Sequence, residues 1–140
     1  MIILDTNVLS ELTRRVPGAI VMAWVDAQPA AELATTAISA GELLYGVARL
    51  PAGSRKTEVE EAVRAMVYED FRNRVEPFDV NAAGQYAAVV SERERIGRPI
   101  AAADAQVAAI CRARAAALAT RNTKDFEHTG IRLINPWDEP

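Results

Sequence analysis

One cysteine, one histidine and two lysines in 140 residues exclude several kinds of protein before any motif is read. Cys111 has no partner, so there is no internal disulfide, and a reducing compartment is the natural setting. His128 and Cys111 are too few to build a zinc centre; we read the histidine as a solvent-facing loop residue and the cysteine as core. No apolar run approaches the roughly 18 residues that span a bilayer. The start has no basic segment ahead of an apolar one, because Asp5 and Glu11 interrupt it. A cytoplasmic chain with no membrane partner is expected. A net charge of −3 argues against coating nucleic acid by bulk electrostatics. Of the sixteen basic residues only Lys56 and Lys124 are lysines. Arginine's planar fork suits phosphate, although genomic base composition produces the same excess.

What is present is the balance of a globular protein, half hydrophobic and a quarter charged, and a single domain over residues 1–140 is expected. Short apolar runs alternate with helical stretches, the pattern of a parallel sheet flanked by helices. Candidate strands are Ile2 to Leu4, Leu33 to Ile38, Val75 to Phe78, Ala117 to Thr120 and Ile131 to Ile134. Candidate helices run from Thr6 to Arg15, Ala19 to Ala27, Ser39 to Leu50, Arg55 to Arg74 and Asn81 to Ile96, with a last one from Pro99 to about Arg114. The turn Pro51-Ala52-Gly53-Ser54 joins two consecutive helices into a hairpin that interrupts the alternation and projects from the sheet. Leu43, Leu44, Tyr45, Val47 and Leu50 give the first of these two helices more apolar surface than one sheet contact requires. Ordinary core uses that surplus, and so does a dimer seam or a groove for a partner's tail.

The acids are the informative residues. In an open parallel sheet, ligands lie beyond the carboxyl ends of the strands, and Ile2-Ile3-Leu4 runs directly into Asp5. A capping role for Asp5 is the plain alternative. Glu42 follows the second strand in Ser39-Ala40-Gly41-Glu42, which also matches a capping box. Gly41 is costly in a first helical turn unless backbone or a ligand comes close. Asp104 lies in Ile100-Ala101-Ala102-Ala103-Asp104-Ala105. With Pro99 as the first helical residue it falls beyond the first turn, too deep to benefit from the helix dipole, and no basic residue stands one turn away. A lone carboxylate among small apolar residues is expensive unless something cationic meets it. Asn122 and Asp125 follow the fourth strand, where an Asx-type turn is the plain alternative.

Three carboxylates about 5 Å apart repel by roughly 3 kcal/mol per pair at an effective dielectric near 20. Together that is comparable with the stability of a whole domain. Such a cluster persists only if its members protonate or a cation sits among them. All-oxygen ligands favour Mg²⁺ or Mn²⁺ over zinc.

Four stretches, taken in order, carry a family resemblance: Asp5-Thr6-Asn7, Ser39-Ala40-Gly41-Glu42, Asp104 in its alanine-rich helix, and Thr120-Arg121-Asn122 through Asp125-Phe126. The chain resembles the PIN domain, and more narrowly the VapC-type toxins of bacterial toxin–antitoxin pairs. The resemblance spans the whole chain. It implies a three-layer α/β sandwich with a central parallel sheet in the order 3-2-1-4-5. It implies a Mg²⁺- or Mn²⁺-dependent endoribonuclease, a homodimer, and neutralisation by a small DNA-binding antitoxin, with assembly on operator DNA. By motif, Asp5, Glu42 and Asp104 become the acidic metal-site residues, and Thr6 the hydroxyl that positions a ligand or water. Many relatives place an acid in the fourth loop; here Asn122 takes the first slot, lining the site, and Asp125 follows as ligand or loop-ordering residue. One metal or two is left open, and Arg121 reads equally as a phosphate contact or a plain surface arginine. Two rival readings stand beside this one. A non-catalytic PIN-like scaffold would bind RNA or protein without cutting. An Asp-nucleophile phosphohydrolase usually wants a second acid where Asn7 stands.

Overall fold

The computed structural model describes residues 1–138. Ile2–Leu4 (β1) leads into helix α1, Thr6–Leu12, and α2, Ala19–Asp26. Leu33–Thr36 (β2) is followed by α3, Ala37–Ala48, and α4, Ser54–Ala65, which winds into a π-helical turn at Met66–Asp70. After β3, Val75–Glu76, come α5, Val80–Arg95, and α6, Ala102–Arg114. β4 is Ala117–Ala119 and β5 is Leu133–Ile134, with a 3₁₀ turn at Thr123–Phe126 between them. The sheet is parallel, in the order β3-β2-β1-β4-β5, as the family resemblance implied.

The strands are short, β2 and β4 are buried throughout, and the two-residue period of an extended chain divides the side chains of the sheet between two cores. Leu4, Leu33 and Ala119 face a cluster with Val8 and Leu9 of α1, Leu43 and Val47 of α3, and Val63, Met66 and Phe71. Ile3, Ala34 and Leu118 face the opposite cluster, with Val89 of α5, Val107, Ile110 and Cys111 of α6, and Phe126. Cys111 is core, as expected, and burial pushes its thiol up to about 12. The alanines of α6 are small enough to let it pack closely: Ala105, Ala108 and Ala109 have no exposed surface. The base of the α3–α4 hairpin belongs to the first cluster, and its tip at Pro51 to Gly53 is exposed. Most of the surplus apolar surface expected on α3 is core, Leu43 and Val47 being buried and Leu44 packed against them, whereas Tyr45 is exposed.

Several boundaries differ from expectation, each for a local reason. α1 ends at Leu12, where Thr13 donates both its N–H and its hydroxyl to the Ser10 carbonyl. The helix expected to continue to Arg74 stops because Asn73 takes a left-handed conformation, φ 64°. Arg74 then donates to the carbonyls of Ala30, Leu33 and Asp70. α3 starts two positions ahead of Ser39, because Thr36 is its cap and accepts from the Ser39 N–H at 3.0 Å. The expected Ser39–Glu42 capping box therefore does not form. α6 starts at Ala102 rather than Pro99, since Ala101 is still extended. That places Asp104 in the first helical turn, correcting the expectation that it lay too deep for the dipole.

Candidate functional site

Asp5 occupies the N-cap position of α1 without making a side-chain capping hydrogen bond. Its backbone is held by the last strand pair, Asp5 N–H donating to Ala119 O at 2.9 Å. Its carboxylate turns instead to Thr120, which donates to Oδ2 at 2.8 Å, with Asn7 Nδ2 at 3.4 Å from the same oxygen. Thr120 uses every hydrogen-bonding position of its hydroxyl. It donates to Asp5 and accepts from Asn7 Nδ2 and from the Asn122 N–H, both at 3.1 Å. Asn7 Oδ1 in turn accepts the Arg121 N–H at 3.0 Å. The ends of β1 and β4 are thus stitched together by a buried polar network around one acid. Asn7 and Thr120 stand within the motif stretches, but the sequence does not pair them, because the bonds that join the two stretches cross more than a hundred residues.

Thr120→Val should expose the value of that network. It keeps the shape but leaves the Asn122 N–H and the Asn7 amide short of a partner, and we expect a loss of about 2–3 kcal/mol, read by urea unfolding. A change below about 0.5 kcal/mol would mean that water replaces the hydroxyl without penalty.

The second acid, Glu42, projects from α3 into solvent, and Thr6 donates its hydroxyl to Glu42 Oε1 at 2.8 Å. Thr6 thereby orients a carboxylate. Gly41 beside it is exposed, and a Cβ there would meet no protein atom within 4 Å. No backbone presses on it, so close approach of another chain segment does not explain the glycine. Asp104 enters from the N-terminus of α6 and is partly buried. Its pKa is pushed up to about 6, first by loss of solvent and then by the charges of Asp5, Asp125 and Glu42; Arg93 pulls the other way. Asp5 is raised too, mainly by burial, with Glu42 adding to it and Thr120 opposing. Asp104 therefore senses the charges of the other three predicted acids, and the crevice around it is acidic. Asp125 acts there through its charge, while Asn122 contributes its backbone N–H to Thr120.

Ser39 was missed as a site residue. Displaced from the expected cap, its hydroxyl is fully buried and has no hydrogen-bond partner among the described residues. It lies near enough to Asp5 to lower that carboxylate's pKa. A raised pair of acids and an orphaned hydroxyl are what a cation and its water shell would satisfy. Among the described residues no three His, Cys, Asp or Glu side chains form a closed metal-binding group. The donors present are oxygens, the chemistry that would suit Mg²⁺ or Mn²⁺ held through one or two carboxylates rather than zinc.

A cleft of about 1370 Å³ runs between α1 and α4 and is lined in part by Glu11, Arg14, Arg15, Arg55 and Glu58. None of the four acids lines it; it reaches the crevice only at Asn7 and Arg121. Arg14 is paired with Glu11 and Arg15 with Glu58, whereas the Arg121 guanidinium lies 4.8 Å over the Trp137 ring with no acid partner among the described residues. His128 is exposed in a loop, as expected.

A family model for the PIN domain matches residues 2–131. The chain belongs to the PIN domain family. Within that family it is 41% identical over 138 residues to the VapC ribonuclease Y4jK of Sinorhizobium fredii, covering 99% of both chains. It is 37% identical over 139 residues to the toxin FitB of Neisseria gonorrhoeae, covering 99% of this chain and 100% of FitB. The solved structure of FitAB bound to an IR36 DNA fragment superposes with a TM-score of 0.93 at 36% identity, covering 100% of this chain and 98% of the other. The crevice lies beyond the carboxyl ends of β1, β2 and β4. No helix among the described residues is long and apolar enough to cross a membrane.

Proposed function

We propose that this PIN domain is a Mg²⁺- or Mn²⁺-dependent endoribonuclease and the toxin of a toxin–antitoxin pair. The observation that carries the reading is the Asp104 carboxyl, lifted to about 6 first by loss of solvent and then by the charges of Asp5, Asp125 and Glu42. Acids so placed are a liability in a metal-free protein and an asset with a divalent ion between them. Asp5 and Asp104 are the carboxylates that would hold the ion, with Asp125 at the rim and Asn122 beside it. When bound, the ion supplies Lewis acidity toward a phosphate oxygen and activation of water.

The rest falls to the chain's own groups. Glu42, held by the Thr6 hydroxyl, orients the attacking water and takes its proton. The water oxygen attacks phosphorus in line, the bond to the departing ribose oxygen breaks, and that oxygen is protonated from solvent. Arg121, stacked on Trp137 where the cleft meets the crevice, offers its guanidinium to a backbone phosphate of the RNA. The test is cleavage of single-stranded RNA by the purified protein with Mn²⁺ or Mg²⁺. Activity is expected to vanish in excess chelator and return when the ion is restored; full activity in chelator overturns the reading.

The same reading gives the chain, as one domain over 1–140, a cytoplasmic setting and a homodimeric state. It also gives it a small antitoxin that contacts operator DNA. FitAB, the structural relative, was solved on DNA, and an acidic toxin leaves most DNA contacts to its partner.

A further inference from the structure

Arg93 lies on α5, outside every motif discussed so far, yet it is among the few buried charged residues, 7% exposed. Its guanidinium meets no carboxylate within ion-pair distance among the described residues. All its acceptors are backbone carbonyls on two other segments. Nε donates to Arg98 O at 2.6 Å, and Nη1 donates to Asp125 O at 3.2 Å and Glu127 O at 2.9 Å. The Arg98 N–H returns a bond to the Arg93 carbonyl at 2.8 Å.

These two segments deliver site residues. Arg98 follows Gly97, whose φ of 73° turns the chain out of α5, and leads into α6, which carries Asp104. Asp125 and Glu127 belong to the loop after β4, where the Asp125 N–H also donates to Asn122 O at 3.0 Å and Phe126 is anchored in the core. We propose that Arg93 is a positioning residue of the acid crevice: its buried fork ties the turn that delivers Asp104 to the loop that delivers Asn122 and Asp125. The proposal rests on the metal-dependent reading above only for its consequence in ion binding.

A neutral side chain could bridge two loops at lower desolvation cost. The charge makes sense because hydrogen bonds from a charged donor are roughly twice as strong as neutral ones. The fork is equally necessary, since lysine's point charge cannot serve two carbonyl sets in fixed directions.

The experiment compares wild type, Arg93→Lys and Arg93→Gln. Amide exchange is followed over residues 122–127 and over β1–α1, Mn²⁺ affinity by calorimetry, and RNA cleavage as kcat and KM. Both variants are expected to exchange faster over 122–127 while β1–α1 stays as protected as in wild type. Mn²⁺ affinity should fall about tenfold, as for loss of an outer-shell contact, and kcat should fall with KM nearly unchanged. Loss of a nearby positive charge by itself would tighten Mn²⁺ binding, so weaker binding in Arg93→Gln reports misplaced acids. Should Arg93→Gln not fold, Arg93→Lys decides. A folded Arg93→Lys with wild-type exchange and affinity overturns the clamp. A wild type that neither binds Mn²⁺ nor cuts RNA overturns the nuclease reading instead, while the exchange comparison still judges the clamp.

Discussion

Asp104→Asn is expected to lower RNA cleavage by about a thousandfold or more, with no loss of fold. Metal-assisted charge stabilisation is worth several kcal/mol at the transition state, and each 1.36 kcal/mol is a factor of about ten in rate. Asparagine keeps the shape of the side chain and its place in the first turn of α6 but removes the charge a cation needs. The same change relieves both the burial of a charge and the repulsion from Asp5, Asp125 and Glu42, which together raise the wild-type carboxyl to about 6. The variant should therefore be at least as resistant to urea as the wild type near pH 7.5, without metal. Activity lost while stability holds or rises is the signature of an acid kept for chemistry. Cleavage within tenfold of wild type would remove Asp104 from the mechanism. A large destabilisation would make it structural. Asp5→Asn should lose activity similarly, but its stability gain is smaller, because Thr120 and Asn7 already hold that carboxylate.

Divalent metal should reverse the pH dependence of stability. In the metal-free protein, folding raises the Asp104 pKa from 3.8 to about 6. Between those values the folded state binds more protons than the unfolded one, so this group's contribution is fully present below about pH 4 and is lost as pH rises through 6. Mn²⁺ at a hundred times its dissociation constant adds about 2.7 kcal/mol, on the order of 8 °C in Tm for a domain of this size. Since the ion must displace the proton on Asp104, that gain should be large at pH 7.5 and much smaller at pH 5. Thermal melts at both pH values, with and without Mn²⁺, check it. An equal shift at both would place the ion elsewhere on the protein.

Much of this was legible in the chain, for reasons that can be named. Ile2 to Leu4 reads as a strand because three apolar residues stop abruptly at an acid. The acids Asp5, Glu42, Asp104 and Asp125 stand out by type and position, and the order of the sheet followed from the family their motifs resemble. Two readings failed at helix starts. Ser39 looked like a cap because Ser-x-x-Glu is a local signature, but the hydroxyl of Thr36 reached the same N–H first. Pro99 looked like a first helical residue, but the preceding Arg98 is bonded to Arg93 through both its carbonyl and its N–H, so the helix begins only at Ala102.

The sequence by itself determined what depends on near neighbours: which residues are apolar, at what period, and which side chains can carry a negative charge. Only the tertiary structure decided what those charges meet. Thr6 reaches Glu42 across 36 positions and Thr120 reaches Asp5 across 115. A hydrogen bond is fixed by a few tenths of an ångström and a few tens of degrees. Such geometry exists only after parallel strands have set their register, and no local pattern of residues encodes it.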